Sequence, residues 1–335
     1  MTVPVVYSVC RAFPETRFVM LTQKFTTSLF VNAPANLTVV GVDLKAPECH
    51  GVAGLWHLAA KMVADYAIDA YADLHDVLRS RLIGLYCSLH RIPVFRIDKG
   101  RGEKRRLIHH GDKPLSHLRT THERYAEVLR RMGFEFDCRF TSVYTDGADA
   151  SVYADITTPK KAEEQWIGIA PFAKHKGKIY PFERMREVVA LLLQKGNRRI
   201  FLFGGGAEEQ QLLRSLANTA PDSIVSLAEK RHGFAKEMAL MSDMDVMVSM
   251  DSANMHIASL VGLPVVSVWG QTHPFCGFTG WQQAEDNEVQ LDLPCRPCSV
   301  FGNKECHLAT PYACMTGIRP EMVAERVEKV LDNKK

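Results

Sequence analysis

Segments that would export the protein or hold it in a membrane are absent from the sequence. The chain has 335 residues. It does not open with a charged region followed by an apolar one, as a signal peptide does. Nor does any stretch approach the ~18 uninterrupted apolar residues that a transmembrane helix needs. We therefore expect a cytosolic protein.

A charge imbalance and the common phosphate-loop motifs are missing as well. Lys plus Arg total 41 and Asp plus Glu total 38, which leaves a formal net charge of +3. So small a charge gives no reason to expect a nucleic-acid partner, and any basic patch must be local. Gly204 to Gly206 follow a predicted strand, but they have neither G-x-G-x-x-G spacing nor a G-K-[ST] sequence. They therefore support neither a dehydrogenase nor a P-loop kinase.

Paired cysteine patterns are scarce, although the sequence has nine cysteines. Five stand singly among apolar neighbours and are interpreted as reduced core residues: Cys10, Cys49, Cys87, Cys138 and Cys276. The other four are spaced Cys295-x2-Cys298-x7-Cys306-x7-Cys314. A Cys-x2-Cys opening is typical of structural zinc sites, but the later spacings are not those of a zinc finger. Structural zinc and four free thiols both stay open.

Length and hydrophobic content predict two domains. The chain exceeds the roughly 250–300 residues at which one hydrophobic core stops growing, and 46% of its residues are hydrophobic. In the first half, β-branched and aromatic runs alternate with stretches that carry apolar residues at helical spacing. We predict strands at 17–21, 37–44, 67–74 and 92–97, and helices at 54–65, 73–90 and 117–132.

The second half repeats this alternation after a polar segment at 144–161, which we interpret as an interdomain linker. Strands are predicted at 166–170, 199–203, 245–250 and 265–269, and helices at 182–195, from 208, at 252–261 and at 320–331. The predicted fold is α/β, with two doubly wound, Rossmann-like domains facing a cleft. We expect the domains at residues 1–155 and 156–335, with the last helix packing back toward the first domain.

The most informative segment, at residues 246–272, combines a predicted strand, a polar turn, a helix and a second strand. Its candidate ligand-binding residues are Asp251, Ser252, Ala253, Asn254 and His256. The turn places three amides at a helix N-terminus, whose partial positive charge and unpaired donors suit a diphosphate. Asp251 is placed to accept hydrogen bonds from sugar hydroxyls, and His256 shares a helix face with Ser252. Alternatively, Ser252 only caps the helix and His256 is a core histidine.

The same segment resembles the signature of glycosyltransferase family 9, the heptosyltransferases. The resemblance lies in Asp-Ser, Met-His, then Gly262-x-Pro264-Val-Val and Gly270-x-Thr272-x-Pro274. It implies the GT-B architecture and an inverting transfer of heptose from ADP-heptose to the inner core of lipopolysaccharide, with no metal required. The implied partners are a nucleotide-sugar donor and an anionic lipopolysaccharide-core acceptor at the membrane surface. The implied location is cytoplasmic, peripheral to the inner membrane.

Two further segments match the family on the donor side. Lys178 stands three residues before a proline, with an aromatic residue between them. The resemblance therefore implies that Lys178 stabilises charge on the leaving nucleotide diphosphate, with Lys174 as second choice. The alternative is a solvated loop of lysines. Gly204 and Gly205 match the family's nucleotide-side loop, where glycine lets a backbone approach a ligand closely.

Acceptor-binding candidates lie in the first half. Residues 73–80 resemble the family's Asp-Leu-x-x-x-x-[KR]-Ser segment, and the cationic stretch 99–113 is interpreted as a surface loop. Clustered Lys and Arg suit polyanions such as a phosphorylated, carboxylated lipid core. The alternative is a merely solvated loop. The candidates are Asp73, His75, Arg79, Lys99, Arg101 and Arg105.

One feature of the family is not found. Members normally begin with a strand and a Gly-Asp loop, whose Asp deprotonates the acceptor hydroxyl. This sequence opens in the manner of the following helix, so we expect that strand and the general base to be missing. Asp73 and Asp76 are less favoured substitutes. Two alternatives stay open: another GT-B nucleotide-sugar enzyme, or a noncatalytic nucleotide-sugar binding module.

Overall fold

A computed structural model describes residues 1–109, 111, 113 and 115–333. It divides into two compact units. Unit 1 comprises Met1–Arg101 and Arg119–Val143, and unit 2 comprises Gly102–Leu118 and Tyr144–Lys335. The boundary expected at residue 155 therefore lies inside unit 2, and a short segment from the first half of the sequence also belongs to that unit.

Unit 1 contains two pairs of parallel strands and their connecting helices. The strands are β1 (Phe18–Gln23), β2 (Leu37–Val42), β3 (Tyr71–Asp73) and β4 (Val94–Arg96). The helices are α1 (Thr2–Ala12), α2 (Gly51–Tyr66), α3 (Leu78–Leu89), the first residue of α4 (Arg101–Leu107), and α5 (Thr121–Arg131). Strand β1 pairs with β2, and β3 pairs with β4. Within the described residues, no strand joins the two pairs.

The core of unit 1 is built around α1. Eight of the eleven residues of this helix are buried. The Tyr7 hydroxyl donates to the carbonyl of Val31 at 2.8 Å, and its ring meets Phe140 edge-on at 5.9 Å. Helix α5, which packs against α1, begins with a capping box formed by Thr120 and Glu123, and such a box satisfies two helix-terminal amides.

Unit 2 is a six-stranded parallel sheet in the order β10-β9-β8-β5-β6-β7. Its strands are β5 (Gln165–Ala170), β6 (Arg198–Leu202), β7 (Ile224–Ser226), β8 (Val246–Met250), β9 (Val265–Val268) and β10 (Glu288–Val289). Its further helices are α6 (Phe182–Leu193), α7 (Ala207–Ala217), α8 (Phe234–Ser242), α9 (Ala253–Leu260), α10 (Ala313–Thr316) and α11 (Pro320–Asp332). The predicted strands of this half are confirmed, while the short β7 and β10 are additional.

The strands of unit 2 are apolar along nearly their whole length because they lie in its core. All five residues of β8 are buried, as in parallel strands that are covered by helices on both faces. Helix α11 packs against α6, β8 and β9, with Val323, Val327 and Leu331 in the core. The apolar face of α11 thus contacts its own unit, whereas the sequence analysis expects it to pack toward the first domain.

Residues 144–161 are not a free linker, which corrects the sequence interpretation. Tyr153 is buried, and its hydroxyl donates to the Asp243 carboxylate. Lys160 forms an ion pair with Asp245 at 2.7 Å, and the Tyr144 hydroxyl donates to a backbone carbonyl of α8 at 3.1 Å. These aromatic and charged anchors attach the polar segment to unit 2.

The cationic stretch after residue 99 is not an open surface loop either. It forms α4, in which Leu107 is 1% and Lys104 is 8% exposed. Lys113 donates to two backbone carbonyls of the cysteine-rich region, each at 3.0 Å. The buried side chains of Leu107 and Lys104 and the hydrogen bonds of Lys113 therefore attach this segment to unit 2. No helix among the described residues has the length and apolarity needed to cross a membrane.

Candidate functional site

A cavity of about 660 Å³ lies at the carboxyl ends of the central strands of unit 2. Its volume is within the ~300–1,000 Å³ typical of small-molecule sites. The parallel sheet brings the ends of β5, β6 and β8 to one edge, where such sites form. All nine residues that the sequence analysis assigns to the donor side line it: Lys174, Lys178, Gly204, Gly205, Asp251, Ser252, Ala253, Asn254 and His256.

An ion pair between Lys178 and Asp251 lies in this cavity. The Lys178 Nζ is 2.9 Å from Asp251 Oδ2, and the two side chains are 16% and 6% exposed. Asp251 directly follows β8, and Lys178 closes a 3-10 turn after β5. Close by in sequence, the buried Tyr180 donates to the carbonyl of Ile318 at 2.9 Å. Lys178 is therefore a largely buried residue paired with Asp251, rather than a residue of a solvated loop.

The N-terminus of α9 forms another part of the cavity wall. Ser252 has an extended backbone, and its side chain forms no capping hydrogen bond with the helix. Its hydroxyl instead lies 3.2 Å from that of Ser249. Ser252 thus occupies the N-cap position of α9 without capping the helix through its side chain. Since the first amides of a helix have no intrahelical acceptor, this end offers donors and positive potential to an anion.

Packing explains only the first of the three glycines between β6 and α7. A Cβ on Gly204 would overlap the side chain of Leu213, whereas one on Gly205 would meet nothing within 4 Å. The Gly205 amide donates to the Glu209 carboxylate at 2.8 Å. Gly206 has φ of 99°, a conformation that strains other residues. The backbone of this loop therefore lines the cavity, next to the Glu209 carboxylate that the Gly205 amide holds in place.

An apolar wall completes the cavity, and the sequence analysis misses it. Its members are Phe172, Phe203, Leu227, Phe234, Ile257, Phe278, Val300 and Phe301. Aromatic faces of this kind suit stacking with a nucleobase. The sequence positions of two of these residues indicate the cavity, because Phe203 directly follows β6 and Phe172 lies two residues after β5. Glu237 also lines the cavity, and burial raises the pKa of its carboxyl.

Lys104 of α4 does not line the cavity itself, but it packs against Phe278 of the apolar wall. Its Nζ lies 4.2 Å from the ring centre of Phe278, a cation–π distance. The buried thiol of Cys276 has a pKa raised by burial to about 11, and the charges of Lys104, Lys178 and Asp251 all act on it. The positive charge of α4 therefore lies near the Lys178–Asp251 pair.

Unit 1 holds a separate cluster of cations around two buried carboxylates. Asp73 ends β3 and is 1% exposed. One of its oxygens accepts from the amides of His75 and Asp76, at 3.1 and 2.7 Å, and the other accepts from Arg96 at 3.3 Å. Asp73 therefore organises the turn, and its contact with an acceptor stays a prediction.

Asp76 holds further cations of the cluster. It is 6% exposed, and it accepts from Arg81 at 2.7 Å and from Arg101 at 3.0 Å. Lys99 donates to its backbone carbonyl at 3.3 Å. The hydrogen bond from Arg81 lowers the pKa of the Asp76 carboxyl, which makes this group a poor proton acceptor.

The predicted acceptor residues are divided between the two units. Lys99 and Arg101 join the cluster around Asp76, and His75 and Arg79 are exposed in the same unit. Arg105 is exposed on the part of α4 that belongs to unit 2. The structure thus gathers four of the six candidates around one turn, with Asp73 beneath it.

The four C-terminal cysteines are partly or fully buried as thiols: Cys295, Cys298, Cys306 and Cys314. Burial raises the pKa of Cys314 to about 11 and also raises that of Cys298. In the part of the chain that the structure describes, no three His, Cys, Asp or Glu side chains are arranged to hold a metal ion. Structural zinc at these cysteines remains a sequence prediction.

Comparison with known proteins decides the family. The model of glycosyltransferase family 9 (heptosyltransferase) matches residues 106–309. The chain belongs to glycosyltransferase family 9. This range includes the nine donor-side residues, so the family's matching region coincides with the wall of the cavity in unit 2.

Individual family 9 relatives are distant in sequence. Lipooligosaccharide heptosyltransferase 2 of Campylobacter jejuni (serotype O:6) is 26% identical over 136 residues, and the chain spans only 42% of that relative's length. Lipopolysaccharide heptosyltransferase 3 of Escherichia coli K12 is 23% identical over 308 residues, covering 87% of this chain and 83% of that protein.

Solved structures support the fold. The structure of E. coli ADP-heptose lipopolysaccharide heptosyltransferase II gives a TM-score of 0.68 at 14% identity, covering 99% of this chain and 95% of that one. This likeness confirms the α/β, GT-B fold class that the sequence predicts.

Proposed function

We propose that the protein is an inverting glycosyltransferase that moves heptose from ADP-heptose to the inner core of lipopolysaccharide. The observation that carries the proposal is the cavity of unit 2, where the Lys178–Asp251 pair, the α9 N-terminus and an apolar wall meet. These are a cation, amide donors and aromatic faces, the groups that a nucleotide diphosphate requires. The names of the family 9 relatives support heptose as the sugar.

In the proposed donor complex, the nucleobase lies against the apolar wall and the diphosphate lies at the α9 amides. Lys178 faces the diphosphate. Asp251 accepts hydrogen bonds from hydroxyls of the sugar, and His256 forms a further hydrogen bond with the sugar. Gly205 provides room for close backbone approach, since a Cβ there would meet nothing. Lys174 is a further cation on the rim.

In the proposed transfer, an acceptor hydroxyl attacks the anomeric carbon from the face opposite the diphosphate. The new C–O bond forms as the bond to the diphosphate breaks, and the hydroxyl proton passes to a general base, a role that the proposal assigns to no described residue. Lys178 and the α9 amides stabilise the negative charge that the leaving diphosphate gains. The proposal needs no metal for this step. Asp73 and Asp76 are less favoured as the base, because cations and amides already form hydrogen bonds with their carboxylates.

The proposed acceptor is the anionic, phosphorylated inner core, and the cation cluster of unit 1 supports this choice. Arg81, Arg96, Lys99 and Arg101 surround two carboxylates, so the cluster keeps a net positive charge. Guanidinium groups suit bidentate binding of phosphate and carboxylate. An acceptor of this type places the protein at the cytoplasmic surface of the inner membrane.

The test is a transfer assay with ADP-heptose and heptose-deficient lipopolysaccharide, in which ADP release and the mass of the product are followed. We expect one heptose to be added for each ADP released, and no product with UDP-glucose as donor. Tight ADP-heptose binding without turnover would instead favour a noncatalytic module. Equal use of other nucleotide sugars would favour a different GT-B enzyme.

A further inference from the structure

Helix α3 of unit 1 presents an apolar stripe to solvent. Leu78, Leu85 and Leu89 are 75%, 49% and 63% exposed. At 100° per residue these three positions fall within about 40° of one another around the helix. A helix that faces water normally carries polar residues along such a line. A line of leucines instead indicates a surface that a binding partner covers.

The opposite side of α3 already packs inside unit 1. Gly84, Tyr86 and Cys87 are buried, and the helix packs against α2, where Trp56 meets Tyr86 edge-on at 5.1 Å. The leucine stripe is therefore distinct from the face of α3 that packs in the core of unit 1.

Exposed arginines flank the stripe, and one of them, Arg81, forms an ion pair with Asp76 at 2.7 Å. From Val77 to Arg96 the sequence contains four arginines and neither aspartate nor glutamate. Arg79, Arg81 and Arg91 are exposed at and beside the helix. An apolar stripe flanked by exposed arginines suits contact with the surface of an anionic membrane.

We propose that α3 docks on an anionic lipid bilayer, with Leu78, Leu85 and Leu89 inserted among the lipids and the arginines at the headgroups. Charge complementarity favours this partner over a second copy of the chain, since two copies would bring arginines of like charge together. The proposal deepens the membrane-surface location of the proposed function by assigning the lipid contact to α3, and its test is independent because lipid binding requires neither donor nor acceptor.

Sedimentation with lipid vesicles tests this surface directly. The full chain is mixed with phosphatidylcholine vesicles, or with vesicles that also contain phosphatidylglycerol, in the absence of nucleotide sugar and lipopolysaccharide. We expect binding only to the anionic vesicles. The L85Q/L89Q variant should lower the partition coefficient about tenfold or more, because two inserted leucines lose their apolar contact. The R91Q variant should weaken binding to anionic vesicles and reduce its sensitivity to salt.

The matched control is L212Q, which removes a 39% exposed leucine from α7 in unit 2 and should leave vesicle binding unchanged. Thermal unfolding checks that each variant is folded, and L89Q alone replaces the double variant if that one unfolds. Vesicle binding that is equal for wild type and L85Q/L89Q overturns the proposal. So does a change in oligomeric state on sedimentation velocity with no vesicle binding by wild type, which would assign the stripe to self-association.

Discussion

At the scale of single residues, Lys178 has the most specific assigned role. We expect Lys178→Met to lower kcat by roughly 10²–10³-fold, the cost typical of losing one group that stabilises developing charge. The affinity for ADP should fall as well, since Asp251 would then face the diphosphate without its counterion. Steady-state transfer assays and calorimetric titration of ADP measure both effects.

Lys176→Met is the matched control for this change. Lys176 belongs to the same 3-10 turn, but it is exposed and does not line the cavity. We expect near-wild-type kinetics from this variant. If both variants behave alike, Lys178 has no special function and the lysines of this turn are solvated residues.

Lys104 tests whether the charge of α4 acts on the same ligand. We expect Lys104→Met to weaken ADP binding severalfold and to leave adenosine binding unchanged, because adenosine carries no phosphate. Lys104→Arg should largely restore ADP binding. Isothermal titration with the two ligands separates this effect from a loss of packing against Phe278, which would weaken both. Arg105→Met, exposed on the same helix, is the control.

The sequence predicts the polar residues of the donor site better than its apolar ones. Asp251 to Asn254 follow the end of β8, where parallel sheets place ligands, so position and residue type agree. Phe234 and Phe278 look like ordinary core residues in the sequence, and only the fold reveals that they face a cavity. The structural role of Asp73 could not be predicted, because the sequence cannot show that amides and Arg96 bond to its carboxylate.

At the scale of elements, the edge strand β10 carries a carboxylate that opposes folding at high pH. Burial, with a smaller effect from Glu285, raises the pKa of Glu288 to about 7. The pKa of the Glu288 carboxyl is higher in the folded state than in the unfolded state. The contribution of this group to folding stability is therefore fully present below about pH 4.5 and is lost as pH rises toward 7.

The Glu288→Gln variant should therefore gain stability relative to wild type as pH increases. We expect little difference in Tm at pH 4.5 and an increase of roughly 2–4 °C at pH 8, equivalent to about 1 kcal/mol after allowance for partial exposure. Thermal unfolding at a series of pH values measures this. A Tm difference that is constant with pH would show that Glu288 does not titrate near neutrality.

The longer elements are predictable, and the exceptions have physical causes. Strands β5 and β8 are apolar runs bounded by polar residues, which favours buried parallel strands. Strands β7 and β10 have three and two residues, too few for a periodic signal. Helix α4 is rich in lysine and arginine, so its polar composition conceals the burial of Lys104 and Leu107.

At the scale of the whole molecule, the repeated alternation of strands and helices predicts two α/β units, but not their composition in sequence. The division was expected at residue 155, because residues 144–161 are polar. The buried Tyr153 attaches this stretch to unit 2, as α4 does for Gly102–Leu118. A few buried side chains therefore decide which unit a polar segment joins, and an average composition cannot reveal them.

The measurement that tests the central claim most directly is calorimetric titration of the full chain with ADP-heptose, ADP and UDP. We expect ADP-heptose and ADP to bind, with UDP at least about tenfold weaker, because a purine covers more of the apolar wall than a pyrimidine does. Lys178→Met should weaken both adenine ligands. Binding of ADP and UDP with equal affinity, or of neither nucleotide, would contradict the assignment of this cavity to ADP-heptose.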